Sequence, residues 1–174
     1  QSDKSLEEVL ASLNEQALFL DLMSLCFLPD LEIEFFLKEM RKRILFNWES
    51  SKKLIRGERF LISLSIQCFI NEYLYFESEA ETRLISSIEE KIQSQLQIDV
   101  QPDELNLLVL SSYRPLGKFD WIKQVKFGSS LTKLKRIHLE EKSEEQKLRR
   151  EIPTIGEIDN PTSKAVKEQY DENP

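Results

Sequence analysis

Glycine is scarce in this chain, with four residues in 174, beside six prolines. Sheet proteins consume glycine in their turns, so the shortage argues against a β architecture. The four glycines, Gly57, Gly117, Gly128 and Gly156, are solitary. That excludes a GxGxxG turn or a P-loop within these residues, since both need clustered glycines to bring backbone against a ligand at a helix N-terminus. Histidine occurs once, at His138, and cysteine twice, at Cys26 and Cys68. That set cannot assemble a Cys/His zinc site, so no metal is expected. His138 lies in the basic run Lys135-Arg-Ile-His-Leu139 and reads as a surface histidine. Both cysteines fall inside apolar stretches and read as buried free thiols of a reducing compartment. The longest apolar run, Ala17 to Leu28, is interrupted by Asp21 and is too short to span a bilayer. The cytoplasm is the expected location, with no membrane partner.

An excess of positive charge is missing as well. The net charge is −7, which argues against nucleic acid as a partner, because clustered cations supply most of that affinity. Local basic clusters exist at Arg41-Lys42-Arg43, at Lys52-Lys53 with Arg56 and Arg59, and from Lys133 to Arg136. Each has acidic neighbours at helical spacing and reads as a solvated helix face.

What is present is 40% hydrophobic and 32% charged residues, enough for a core. The periodicity predicts an all-α fold, an irregular bundle of about six helices around one central apolar helix. Ser5 and Glu8 make a capping box for a first helix to Leu13. A second helix runs from Gln16 to Phe27 and is ended by Pro29. Asp30 caps a third, with Ile33, Phe36, Leu37, Met40 and Ile44 on one face and Arg41 to Arg43 near its end, where cations suit the helix dipole. Residues 50–58 form a polar break. The apolar helix is expected over 58–76, followed by one over 79–96 with Leu84, Ile88, Ile92 and Leu96 as its stripe. A sixth begins at Pro102-Asp103, and Trp121, Ile122, Val125 and Phe127 belong to an irregular segment laid on the bundle. Residues 1–139 are thus read as the helical domain. Residues 140–174 are read as an arm, comprising a polar helix to Arg150, extended chain and a last helix capped by Thr162.

No constellation of catalytic carboxylates, nucleophile or base emerges, so no catalytic residue is expected in these 174 residues. One polar group stands out. Gln67, Asn71, Glu72 and Tyr75 interrupt the most apolar helix, and Gln67, Asn71 and Tyr75 follow i, i+4, i+8. An unsatisfied buried polar group costs roughly 1–3 kcal/mol, so this stripe is either a hydrogen-bonded network or a face turned to a partner.

The segments Gln67-Cys-Phe-Ile-Asn-Glu-Tyr73 and Tyr113-Arg-Pro-Leu116, then Leu148-Arg-Arg-Glu-Ile-Pro153, Ile158-Asp-Asn160 and Ser163-Lys-Ala-Val-Lys-Glu-Gln-Tyr-Asp-Glu-Asn-Pro174, occur in that order. Together they resemble the helical region that precedes the catalytic domain of bacterial S-adenosylmethionine-dependent methyltransferases, a type often joined to tetratricopeptide repeats. The resemblance implies a chain excised from a longer protein, whose Rossmann-type domain and S-adenosylmethionine site lie beyond Pro174. It implies no cofactor bound by these residues themselves, with Gln169, Tyr170 and Asn173 nearest the cofactor edge. The expected role is then a non-catalytic module that packs on its own C-terminal domain or recruits a protein partner. The alternative is a free-standing helical interaction domain, with the arm bearing Ile152, Ile155 and Ile158 swapped in a homodimer.

Overall fold

A computed structural model describes residues 5–48, 58–152 and 160–172. Among them every regular element is helical, so the fold is all-α. The elements are α1 Leu6–Asn14, α2 Ala17–Leu25, α3 Leu31–Phe46, α4 Glu58–Ile70, α5 Glu79–Gln97 and α6 Glu104–Ser111. Short 3-10 turns follow at Leu116–Lys118, Asp120–Gln124 and Ser129–Leu131. Then α7, Thr132–Lys135, runs through a π turn at Arg136–Glu140 into α8, Glu141–Glu151, and α9 spans Pro161–Glu172. The chain divides into two compact units, Gln1–Lys142 and Ser143–Pro174.

Local chemistry sets the helix starts. The Ser5 hydroxyl accepts from Glu8 N at 3.2 Å, while Glu8 Oε2 accepts from Ser5 N at 2.9 Å. Ser78 and Glu81 repeat this reciprocal box at the start of α5. Asp30 opens α3 by accepting from Glu32 N and Ile33 N, and Asp103 opens α6 by accepting from Leu105 N. At α9 the cap is Asn160, not the expected Thr162: Asn160 Oδ1 accepts from Thr162 N at 2.9 Å. Pro161 takes the first helical position, where its missing N–H is not needed.

In the first unit, α4 packs against α1, α2, α6 and α7, while α5 packs against α3 and α6. The core gathers Met23, Leu37, Phe60, Leu64, Ile85, Ile92, Leu107 and Tyr113. On α3 the buried face is Leu37, Met40, Arg41, Ile44 and Leu45, whereas Phe36 stays at the surface. On α5 the buried stripe begins at Glu81 and runs through Ile85, not Leu84, to Leu96. The irregular segment 116–131 closes one side with Leu116, Ile122, Val125 and Leu131. The expected polar break at 50–58 lies outside the described residues, apart from Glu58. In the second unit, α9 exposes residues 161–167 and carries no buried residue among those described.

The largest departure from expectation is the end of α4. The helix stops at Ile70 rather than Phe76. Tyr73 N donates to Cys68 O at 2.9 Å and Glu72 N to Phe69 O at 3.1 Å, the paired bonds of a Schellman ending. Such an ending needs a left-handed residue, and here two consecutive non-glycine residues supply it, Glu72 at φ 56° and Tyr73 at φ 61°. Conformations of this kind cost roughly 1–3 kcal/mol each and persist where surroundings over-determine them.

Candidate interaction surface

Arg41 holds that strained turn. It stands one helical turn beyond Leu37 and one before Leu45, on the apolar face of α3, and is 2% exposed. This corrects its reading as part of a solvated, dipole-complementing cluster. Nη1 donates to Ser112 O at 3.4 Å and Nη2 donates to Tyr75 O and Phe76 O, each at 3.3 Å. Its guanidinium carbon lies 4.0 Å from the Tyr113 ring centroid and 5.4 Å from that of Tyr75. The fork therefore ties three carbonyls from two separate loops, and the aromatic faces replace part of the lost hydration.

Around this cation two carboxylates are fixed. Glu81, 3% exposed, accepts from Tyr113 Oη at 2.9 Å and from Ser78 N and Oγ at 3.0 and 2.7 Å. Burial raises its pKa, but the Ser78 and Tyr113 hydrogen bonds and Arg41 outweigh that and hold it below the usual carboxylate value. Glu77 takes a two-pronged contact from Arg114, at 2.6 and 2.8 Å. Burial again opposes, and the Arg114 and Thr82 bonds prevail, so Glu77 is also held low. Arg114 is raised in turn by its bond to Glu77. Tyr73 Oη reaches Ser111 O at 3.1 Å. Residues 67–73 also come close to Tyr113 and Arg114 here.

The polar stripe does not survive as one face, because α4 ends beneath it. Gln67 is buried, and with its amide nitrogen toward α2 it donates to Met23 O at 2.7 Å and Cys26 O at 3.0 Å. It thereby satisfies carbonyls left open at the end of α2. Asn71 is buried just past the last helical residue, Ile70; its side chain neighbours the Tyr75 hydroxyl, and its Oδ1 has no hydrogen-bond partner among the described residues. Glu72 is exposed on the left-handed turn, and Tyr75 is half-buried beneath Arg41. Burial raises the pKa of both Tyr73 and Tyr75, so both are neutral phenols. Cys68, beside them, is pushed up to about 12 by burial and is an inert thiol. Cys26 is exposed, against expectation, because α2 ends before it.

His138 is a second correction. It is 1% exposed, sitting in the π turn with its ring 4.5 Å from that of Phe69. Nε2 lies 3.3 Å from Ser65 Oγ, which donates to Ser111 Oγ at 2.6 Å. Burial lowers its pKa to about 4. The group resembles a nucleophile–base pair in composition only. Ser65 and Ser111 are wholly buried and no substrate reaches them. Gly117 allows this packing, since a Cβ there would come 3.3 Å from His138 O.

The outer surface beside this network is apolar. Leu18, Leu22 and Leu25 repeat at i, i+4, i+7 and share the outer face of α2, opposite Leu20, Met23 and Ser24. Leu31 and Phe35 extend from the first turns of α3. Lys38, one turn further, reaches over the Phe76 ring at 5.9 Å, which sets the 74–76 loop beside α3. Exposure is 75% for Leu18, 74% for Leu25, 82% for Leu31, 65% for Phe35, 77% for Leu74 and 72% for Phe76. Single exposed leucines are ordinary; six large side chains this bare, on adjoining elements, are not.

Elsewhere, Gln93, Leu96, Gln97, Asp120, Trp121 and Gln124 line a shallow cleft of about 340 Å³. Among the described residues no group of three or more His, Cys, Asp or Glu side chains could hold a metal ion, and no helix is long and apolar enough to cross a membrane. Of the candidates near a cofactor edge, Gln169 is exposed on α9, Tyr170 belongs to the same helix, and Asn173 lies outside the described residues. No family model, no curated protein and no solved structure matches this chain.

Proposed function

We propose that this chain is a helical interaction module that holds a protein segment on the outer face of α2, the first turns of α3 and the 74–76 loop. The observation that carries this reading is the exposure of Leu74 and Phe76 by a costly device. Two left-handed residues and a buried arginine maintain a turn whose product is two bare apolar side chains. Stored strain of this kind gathers at binding and switching sites. A serine variant of Leu25, Phe35 and Phe76 tests it, since all three are surface positions and the fold should be kept. Quantitative capture experiments should lose specific partners with the variant while its melting point matches the parent. An identical captured set for both chains defeats the reading.

The resemblance to the region preceding methyltransferase domains supports one form of this function. In it, the module lies beside a catalytic domain of the same polypeptide, S-adenosylmethionine is bound outside these residues, and Gln169, Tyr170 and Asn173 approach that domain. Methyl transfer would then belong to the longer protein, where proximity and water exclusion supply much of the rate. Calorimetry of this chain with S-adenosylmethionine should give no heat, and micromolar binding would overturn the assignment of a non-catalytic module. The free-standing, arm-swapped homodimer is the competing form. Ile152 is exposed, as that form requires, while Ile155 and Ile158 lie outside the described residues. Sedimentation of the chain truncated after Leu148 distinguishes it, since a dimer held by the arm would dissociate.

A further inference from the structure

We infer that the segment bound by this surface is a basic amphipathic helix of a partner protein; the inference rests on the interaction-surface reading above. From Ser5 to Leu37 the chain holds no lysine or arginine. The same stretch carries Asp21 on the outer face of α2, Asp30 at the cap of α3, and Glu32 and Glu34 in its first turn. Asp21, Glu32 and Glu34 form no ion pair with any described residue. Asp21 lies three residues from Leu18 and four from Leu25, neighbours on a helix surface at about 5–6 Å. That is within the screening length of about 8 Å at physiological salt, so a charge docking on these leucines feels the carboxylate. Apolar anchors rimmed by one sign of charge select a ligand with the opposite rim.

The geometry favours a helix as occupant. The α2 face presents Leu18, Leu22 and Leu25 in a line over eight residues, about 11 Å of helix axis, and Leu31 and Phe35 are exposed on the next helix. A helix laid along such a face supplies anchors at i, i+3, i+4 and i+7. A second copy of the same face fits poorly, because a two-fold contact would set Asp21, Glu32 and Glu34 against an equally acidic rim. An anionic lipid surface meets the same repulsion. Lys38, a cation beside this face, is already turned over Phe76.

The test uses the whole chain and two synthetic helical peptides of about 18 residues with leucine at heptad core spacing. One carries lysine at the remaining positions and the other glutamate. The lysine peptide should bind at least tenfold tighter by fluorescence anisotropy, and less tightly as salt rises. The double variant Leu25→Ser/Phe35→Ser should weaken it at least tenfold, and Asp21→Lys/Glu32→Lys should invert the preference. Equal affinities for the two peptides, both weakened by the serine pair, would overturn the basic partner while leaving the interaction surface standing. Lysine-peptide binding indifferent to the serine pair would overturn both. A dimer in sedimentation that the serine pair abolishes assigns the face to a second copy and refutes the inference, as does serine-sensitive binding to phosphatidylglycerol vesicles.

Discussion

Replacing Arg41 by methionine tests what the buried cation contributes, because the side chain keeps an unbranched apolar stem and loses its guanidinium charge and donors. In the parent, three carbonyls, those of Ser112, Tyr75 and Phe76, each receive one N–H at 3.3–3.4 Å. These contacts are long, so the loss is set at about 1 kcal/mol for each carbonyl rather than the larger value of a short charged bond. The stack over Tyr113, at 4.0 Å, adds about 1–2 kcal/mol. Glu77 and Glu81 lose a nearby positive charge, which acts in the same direction. Against these stands relief from burying a guanidinium, a penalty of a few kcal/mol that the ring faces and carboxylates already reduce. The expected net effect of Arg41→Met is a destabilisation of about 3 kcal/mol, or a melting point lower by roughly 6–12 °C for a chain of this size. Urea unfolding followed by circular dichroism measures it. Hydrogen exchange should show the amides of 72–76 opening more than those of α6. A methionine variant within about 0.5 kcal/mol of the parent, with unchanged exchange in 72–76, would refute the view that this arginine holds the turn.

Three further outcomes follow from the same geometry. Glu72→Gly should raise stability by about 1 kcal/mol, because glycine occupies the φ 56° position of the helix ending without steric cost; an unchanged or lower denaturation midpoint contradicts that account. His138 has its pKa lowered by burial from 6.5 to about 4, so only the unfolded chain takes up the proton between those values. Stability should therefore fall by about 3 kcal/mol as pH drops from 6.5 to 4 and flatten below, and His138→Phe should remove that slope. Glu77 and Glu81, held below 4.5, contribute a separate loss at lower pH that the variant retains. Finally, a thiol reagent at neutral pH should modify one cysteine in the native chain, Cys26, and two in denaturant; fast native labelling of Cys68 would contradict its burial.

Much of the local structure was legible because it rests on short-range chemistry. Capping residues at Ser5, Asp30 and Asp103 marked helix starts, and the scarcity of glycine pointed to helices. The end of α4 was not legible. Asn71, Glu72 and Tyr73 extend an apolar helical pattern with no glycine or proline to break it, and the stop is enforced by Arg41 and Ser111 from elsewhere in the chain. Since that helix ends early, the expected face of Gln67, Asn71 and Tyr75 dissolves into three separate roles. Arg41 did leave a signal, a cation at the centre of an apolar i, i+4 series, but its basic neighbours made it look solvated. Glu81 left a similar trace at the head of the Ile85 stripe.

By itself, then, the sequence determined helix content, most helix starts, the absence of clustered-glycine ligand loops, and the acidic charge balance. These depend on composition and on contacts within one or two turns. Tertiary structure alone decided that Arg41, Glu81 and His138 are buried, that the chain turns left-handed at Glu72 and Tyr73, and that Leu74 and Phe76 face outward. Each outcome requires groups separated by thirty residues or more, as in the bonds from Arg41 to Tyr75 and Ser112. No local propensity encodes a partner at that distance, and burial belongs to the assembled core rather than to any segment of it.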